Sequence, residues 1–361
     1  MFVKNLILIV IFLLPFNPVF AGTKVEKIGP KLSHPWGISF LDDNNVIVTE
    51  RGGGVSKINL KTGKLVKIKS PPKVFNFGQG GLLDVHVENT NNQINLYFCY
   101  SKFNPPVYNV TVLEKSILNG ISLEDKKILF TTKNALRSSS LIHYGCRIAI
   151  SSKHLFLSLG DRGERHNAQN YENYEGSIIR LNLNRNELDI NPFNHKWLNE
   201  IFTIGHRNPQ GLSINPFNQT VWSHEHGPQG GDEINLFEGG KNYGWPKVTH
   251  GEEYGGGKIG EITLPGFEGP LWSWSPSIAP SGMAFYNKNM FPELNNHLLV
   301  GSLKFKQIYA LEIKDNKPIN EVKILNQHYG RIRDIEIMSD GSILFITDEN
   351  EGGLYRIYKK Q

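Results

Sequence analysis

The chain has 361 residues, of which 39% are hydrophobic, 20% charged and 11% aromatic, with 36 Gly, 19 Pro, only 2 Cys and a formal charge of +5. Its mean hydropathy is slightly negative, which excludes a polytopic membrane protein; the hydrophobic fraction excludes a disordered chain, and two cysteines exclude a disulfide scaffold. The lysines are scattered, so the charge is no nucleic-acid footprint, and many glycines with abundant aromatics favour short strands joined by turns.

Residues 1–21 read MFVKNLILIVIFLLPFNPVFA. One Lys precedes an apolar run from Leu6 to Leu14, Pro15 and Pro18 break it, and Val19-Phe20-Ala21 puts small residues where a signal peptidase reads. The run is short for a membrane span. A cleaved secretory signal peptide is expected, with an uncleaved anchor as the alternative. Residues 22–361 are then expected in the periplasm of a Gram-negative cell, without stable membrane insertion. Cys99 and Cys146 would meet an oxidising compartment. They either pair or remain two buried thiols, and spacing alone does not choose.

From residue 34 onward a unit repeats, in which a Gly- or Pro-containing turn leads into three strands. The leading strands begin at His34-Pro-Trp-Gly, Gly80-Gly-Leu-Leu-Asp, Gly145-Cys-Arg, Asn208-Pro-Gln-Gly, Ser281-Gly-Met and Arg333-Asp-Ile. The second strands are Asn45–Glu50, Ile94–Tyr100, His154–Asp161, Thr220–Glu225, His297–Ser302 and Ile343–Asp348, and a third strand follows each. Apolar and polar residues alternate with period two, the pattern of half-buried strands. Six units of about 57 residues predict an all-β fold, a six-bladed β-propeller with four-stranded antiparallel blades, in one domain spanning 22–361. A β-sandwich or solenoid is the alternative, but a sandwich does not need so many units. Successive units should bring their leading loops to one end of the central channel.

Chemically loaded residues recur at those loops. His143 stands before Tyr144-Gly-Cys-Arg147, where it is either a general base with a pKa near working pH or a polar loop residue. The segment 205–246 is the densest, with Gly-His-Arg-Asn-Pro-Gln-Gly, Glu-His-Gly-Pro-Gln-Gly-Gly-Asp-Glu and Lys-Asn-Tyr-Gly-Trp-Pro. Carbonyl-rich loops of this kind suit a hard cation such as Ca²⁺, and no HExxH or CxxC spacing points to zinc; turn chemistry alone is the alternative. Late in the chain, Lys304 follows a strand, and Arg331 and Arg333 at i and i+2 should share one strand face. Such a set is expensive unless an anion meets it, or else it is a solvated edge.

Seven ordered motifs carry a resemblance: Gly78-Gln-Gly-Gly-Leu-Leu-Asp, His143-Tyr-Gly-Cys-Arg, Gly205-His-Arg-Asn-Pro-Gln-Gly, Glu225-His-Gly-Pro-Gln-Gly-Gly-Asp-Glu, Lys241-Asn-Tyr-Gly-Trp-Pro, Pro276-Ser-Ile-Ala-Pro-Ser-Gly-Met and Gly330-Arg-Ile-Arg-Asp. Across nearly the whole mature chain the sequence resembles the soluble aldose sugar dehydrogenases that use pyrroloquinoline quinone (PQQ), within the glucose/sorbosone dehydrogenase family. The resemblance implies a propeller with PQQ across its top and a tricarboxylate for Lys304, Arg331 and Arg333 to meet. It implies that Gln79, Arg207, Asn208 and Ser277 contact PQQ, and that the carbonyls of Gly227 and Pro228 hold its Ca²⁺. Glu233 and Tyr243 are candidates for a second, structural Ca²⁺, and Trp274 for a pocket wall. His143 is the implied catalytic base, taking the proton from the C1 hydroxyl of an aldose while hydride passes to PQQ; Arg207 and Asn208 steady the developing charge, and a lactone forms. An external electron acceptor, a cytochrome or a quinone, is then required.

Two residues depart from the family pattern. Some relatives carry an acid immediately before the catalytic histidine, where this chain has Ile142, and Cys146 replaces an expected small residue. Two other functions stay open: a calcium-dependent hydrolase of the lactonase type, which wants a metal ringed by side-chain ligands along the channel, and a non-enzymatic binding propeller, favoured if His143 or Arg207-Asn208 were missing.

Overall fold

The opening strand β1 (Thr23–Leu32) has no partner nearby in sequence; it pairs with the last strand of the chain. Blade 1 follows as β2 (Pro35–Asp42), β3 (Asn45–Glu50), β4 (Gly54–Asn59) and β5 (Leu65–Lys67), and blade 2 as β6 (Leu82–Thr90), β7 (Gln93–Asn104), β8 (Tyr108–Asn119) and β9 (Ser122–Thr131). Blade 3 holds β10 (Ile148–Ile150), β11 (His154–Ser158), β12 (Ser177–Asn182) and β13 (Ile201–Ile204); blade 4 holds β14 (Pro209–Ile214), β15 (Val221–Glu225), β16 (Asp232–Phe237) and β17 (Trp272–Trp274). Blade 5 is β18 (Pro280–Tyr286), β19 (His297–Ser302), β20 (Gln307–Lys314) and β21 (Lys317–Lys323), and blade 6 is β22 (Ile332–Ile337), β23 (Ile343–Thr347) and β24 (Gly352–Lys359). This computed structural model describes residues 22–90, 93–105, 108–132, 140–183, 193–325 and 328–359. The expected signal peptide, 1–21, lies outside the described residues.

The sheets are the six four-stranded antiparallel blades that the repeat predicts. The fourth strand of blade 6 is β1, in register from Thr23 against Lys359 to Ile28 against Leu354, so the two ends of the fold share one sheet and the ring closes. First strands touch all the way round: β2 meets β6, β6 meets β10, β10 meets β14, β14 meets β18, β18 meets β22 and β22 meets β2. Each first strand runs antiparallel to the second, with Pro35 opposite Glu50, Pro209 opposite Glu225, Pro280 opposite Ser302 and Ile332 opposite Thr347. The loop before every first strand and the loop after every second strand therefore open at the same end of the channel.

Strand formation follows from stacking. Ile343-Leu-Phe-Ile is buried throughout because a blade covers each face, and its side chains divide between the blade 5–6 and blade 6–1 interfaces. Val46, Val48 and Ile58 meet Leu344, Ile346 and Leu354 in the same way.

At the centre of the ring sits one guanidinium. Arg147 Nη1 lies 3.0 Å from Asp84 Oδ1 and 2.8 Å from Asp334 Oδ2; its Nε donates to the Gln210 carbonyl at 3.1 Å and its Nη2 to the Arg333 carbonyl at 3.2 Å. Its plane stands over the Trp36 ring at 4.3 Å. One side chain of blade 3 thus touches blades 1, 2, 4 and 6. The two aspartates extend the network, accepting the backbone N–H of Ile148 (2.8 Å) and of Ile38 (3.0 Å).

Cys99 of β7 and Cys146, just before β10, form a disulfide with Cα atoms 5.6 Å apart, buried among Tyr97, Leu113, Leu155 and Leu157. It staples blade 2 to blade 3 across a separation of 47 residues, and fixes the segment that carries His143. Closing a loop of that length is worth about 4 kcal/mol by chain entropy. The Cys99→Ser/Cys146→Ser variant is expected to lose about 2–4 kcal/mol, or roughly 3–6 °C of Tm at about 2.1 cal/mol/K per residue. Scanning calorimetry of both proteins checks this; an unchanged Tm contradicts it.

Candidate active site

The site can be walked around the ring. Gln79, in the loop before β6, uses its side-chain Oε1 to accept the backbone N–H of His143 at 2.8 Å. His143 lies in the loop before β10 with φ +52°, a conformation a non-glycine residue holds only under outside constraint. Arg162 supplies the constraint: it donates to the carbonyls of Ile142 (3.0 Å) and Ser140 and to Asn109 Oδ1 (2.8 Å), and stacks over Tyr144 at 3.6 Å.

Asp161, after β11, is the residue sequence reasoning missed. Its Oδ1 accepts from His143 Nδ1 at 2.7 Å and from the Gly163 N–H at 2.7 Å, and its Oδ2 accepts from Trp245 Nε1 at 2.8 Å. The carboxylate is buried, and the imidazole is only 12% exposed. A carboxylate only accepts, so the His143 proton sits on Nδ1 and Nε2 keeps its lone pair. The acid missing at position 142 is thus supplied from the next loop, while Ile142 turns its side chain toward Gly163 and is half-exposed. Gly160 permits the approach, since a Cβ there would stand 2.3 Å from the His143 carbonyl oxygen.

The Asp161 N–H then donates to the Arg207 carbonyl at 2.8 Å, linking blade 3 to blade 4. Arg207 is buried; it donates from Nη1 to the His226 carbonyl (3.1 Å) and from Nη2 to the Tyr254 hydroxyl (3.4 Å), and lies over Trp245 at 5.4 Å. Its backbone N–H is held by Glu225, which also takes the Nδ1–H of His206 at 3.0 Å. Asn208 Oδ1 accepts from the Gly145 N–H and from Gln210 Nε2, both at 3.2 Å, so its amide NH₂ is the group it can offer. His226 donates Nε2–H to the Pro280 carbonyl at 2.6 Å, and burial holds its pKa down at about 4, so it stays neutral.

Gly227 and Pro228 follow β15. A Cβ on Gly227 would stand 2.2 Å from the Gly230 carbonyl and 2.4 Å from that of Gly231, so the loop folds back into a cluster of carbonyls that only glycine allows. Among the described residues no donor meets the carbonyl of Gly227 or Pro228. Glu233 stands opposite Glu225 across β15 and β16 and accepts from Asn235 at 2.9 Å; burial, and then the Glu225 charge, push its carboxyl well above the usual range. The Asn235 NH₂ is the donor in that bond, and its amide oxygen Oδ1 is buried without a partner. Tyr243 contributes less: its phenol already donates to the Leu236 carbonyl (2.6 Å) and accepts the Glu238 N–H (3.0 Å).

Blades 5 and 6 carry the cations. The Lys304 N–H donates to the Ile278 carbonyl at 3.3 Å, which sets this exposed lysine beside Ser277, whose Oγ is buried with no partner. Arg331 precedes β22 and is exposed, whereas Arg333 lies inside the strand and is buried, with a register shift between Ile332 and Asp334 at the strand's start. Arg333 already has an anion: Asp348, 2.8 Å from its Nη2, with Gln210 Oε1 at 3.0 Å from Nη1. Burial would raise the Asp348 pKa, but the Arg333 guanidinium overrides it and holds the carboxyl at about 2. Arg333 Nε alone stays buried and unpartnered. Among the described residues the side chains of Lys304 and Arg331 have no carboxylate partner, although the Arg331 backbone N–H donates to Glu349 Oε1 at 3.2 Å. His34 and Arg51, which sequence reasoning also missed, close the circle: His34 Nδ1 binds Asp348 Oδ1 at 2.9 Å, and Arg51 Nη1 donates to the carbonyl of Gly78, next to Gln79, at 3.2 Å.

Trp274 is placed elsewhere. It lies on the outer strand of blade 4, packed with Met283 and Tyr309 in the blade 4–5 interface. The indole that walls the site beside Arg207 and Asp161 is Trp245.

A family model described as glucose/sorbosone dehydrogenase matches residues 32–356. The sequence is 36% identical over 348 residues to the aldose sugar dehydrogenase YliI of Escherichia coli K12, covering 93% of each chain. The crystal structure of the soluble aldose sugar dehydrogenase of Escherichia coli in the apo form matches with a TM-score of 0.87 at 34% identity, over 94% of this chain and 100% of that one. The PQQ-bound form of the aldose sugar dehydrogenase of Streptomyces coelicolor, at 23% identity, shares the fold with a TM-score of 0.75 over 93% of this chain and 98% of that one.

Proposed function

The chain belongs to the glucose/sorbosone dehydrogenase family, and from that premise we propose that it oxidises aldose sugars at C1 to lactones with PQQ and Ca²⁺ as cofactors. The observation that carries the reading is the His143–Asp161 pair beside Arg207, facing a ring end where Lys304 and Arg331 lack counter-charges. The residues present fit the cofactor. Lys304, Arg331 and the free Nε of Arg333 suit its carboxylates, and Ser277 Oγ is an orphan hydroxyl awaiting a partner. The uncommitted carbonyls of Gly227 and Pro228 suit Ca²⁺, and Glu233 with Glu225 and Asn235 offers oxygens for a second ion.

When bound, PQQ supplies the two-electron acceptor and its Ca²⁺ the Lewis acidity that strengthens it. The chain supplies the rest. His143 Nε2 takes the proton of the C1 hydroxyl, and Asp161 keeps the ring in the one tautomer able to do so and offsets the positive charge it gains. Arg207, fixed against Trp245, and the Asn208 NH₂ donate to negative charge as it develops.

The hydrolase alternative meets an obstacle: the channel centre holds the Arg147 guanidinium, where a metal ringed by side chains would have to sit. The Cys99–Cys146 disulfide supports an oxidising compartment, and the targeting segment 1–21 an exported enzyme that hands electrons to an external cytochrome or quinone. Among the described residues no helix is long and apolar enough to cross a membrane.

Apoprotein mixed with PQQ and Ca²⁺ is expected to reduce an artificial dye when given an aldose, and to yield the lactone. Chelating Ca²⁺ before PQQ is added should abolish the activity. No turnover across a panel of mono- and disaccharides sinks the reading.

A further inference from the structure

Tyr254 is the most exposed of the large apolar side chains among the described residues, at 73%, yet it is held in place. It sits on a hairpin formed by residues 252–258. Gln229 and Glu252 exchange backbone bonds at 3.1 and 3.0 Å, and the Glu253 N–H donates to the Gly257 carbonyl at 2.8 Å. Glu253 in turn takes two N–H bonds from Arg165, at 2.6 and 3.1 Å. The hairpin also packs on the carbonyl-rich loop, since a Cβ on Gly251 would stand 2.6 Å from the Pro228 ring. The Tyr254 hydroxyl accepts from Arg207 Nη2 at 3.4 Å.

Held on this hairpin beside Arg207, the exposed ring offers an apolar face next to the polar groups of the site. We propose that Tyr254 is a specificity-determining residue for the reaction given above: its ring, carried beside Arg207 by the hairpin, is the platform on which the sugar's C–H face packs. The inference rests on the sugar-dehydrogenase reading. Aromatic rings carry large apolar area at low entropic cost, and pockets for polar ligands combine such a face with a few polar groups. Here the polar groups are His143, Arg207 and Asn208, and Tyr254 lies one hydrogen bond from the second of them.

The test is steady-state kinetics of PQQ- and Ca²⁺-loaded wild type, Tyr254→Ala and Tyr254→Phe with glucose and maltose, together with a PQQ titration of each apoprotein. Tyr254→Ala is expected to raise KM about tenfold for at least one sugar and to change kcat less than about threefold. Tyr254→Phe keeps the ring and should recover most of the lost affinity, and all three proteins should bind PQQ within about twofold of one another. Unchanged KM values in Tyr254→Ala with both sugars overturn the inference alone. So does a Tyr254→Phe variant as impaired as Tyr254→Ala, which would assign the effect to the hydroxyl. A wild type that binds PQQ but oxidises no aldose overturns the functional reading, and this inference with it.

Discussion

Asp161→Asn is expected to lower kcat by about 10²–10⁴-fold while leaving PQQ affinity and the fold in place. The size follows from the bonds the carboxylate makes. Its Oδ1 accepts from His143 Nδ1 and Gly163, and its Oδ2 from Trp245. An amide has one acceptor end and one donor end. With the oxygen toward His143, the NH₂ faces the Trp245 N–H, and the positive imidazole loses its counter-charge. With the NH₂ toward His143, Nδ1 must accept, the ring proton moves to Nε2, and the lone pair that takes the substrate proton is gone. Both arrangements damage the same step, so kcat should fall with little change in the sugar KM. Loaded enzyme with matched PQQ occupancy checks this; a variant retaining more than about a tenth of wild-type kcat contradicts the role given to Asp161.

Arg147→Met should produce the largest loss of stability of any single change in the channel. Methionine approximates the length of the side chain but strands two buried carboxylates, Asp84 and Asp334, and removing one partner from a buried ion cluster costs about 3–5 kcal/mol. Over a chain of this length that is roughly 4–7 °C of Tm. The dependence on pH carries the diagnosis. Burial raises Asp84 from 3.8 to about 6, against the lowering pull of Arg147, and Asp334 is raised for the same reasons. Because the folded state holds these protons more tightly than the unfolded chain, the carboxylates' contribution falls as pH rises from about 4 to 6 and stays low above it. Without Arg147 both groups shift further up. The variant's deficit should therefore be largest at pH 7–8 and shrink near pH 5, where the stranded carboxyls are neutral. Calorimetry of both proteins at the two pH values measures it; a deficit that grows on acidification contradicts the account.

The first three strands of every blade were legible because short apolar runs bounded by turn residues recur in each unit; the second strands, such as Asn45–Glu50 and His297–Ser302, read as near-continuous apolar runs rather than alternating ones because neighbouring blades cover both faces. The fourth strands were not, and β1 least of all, since its partner β24 lies at the far end of the chain and no local pattern announces such a pairing. Most site residues were legible as motifs because they occupy the same loop position in successive blades. Asp161 escaped notice because in sequence it reads as the last residue of the strand that starts at His154, and only the folded ring places it, beyond β11, against His143. What spacing could not show for Arg331 and Arg333 is how unequal their surroundings are: the first precedes β22 and is exposed, and the second is buried inside it. The anion expected from outside is, for Arg333, already inside as Asp348, fifteen residues on. Lys304 and Arg331 are left as cations of blades 5 and 6 whose side chains meet no carboxylate among the described residues.

The central claim is that His143 takes the C1 hydroxyl proton of an aldose in a PQQ- and Ca²⁺-loaded propeller. Wild type and His143→Gln, loaded to equal PQQ occupancy, should be given the same aldose, with dye reduction and lactone followed together. The account predicts lactone in step with dye for wild type and a kcat lower by about 10²–10⁴-fold for the variant, whose PQQ affinity is unchanged. Loaded wild type that makes no lactone from any aldose, or a His143→Gln variant that binds PQQ and turns over at the wild-type rate, would contradict it.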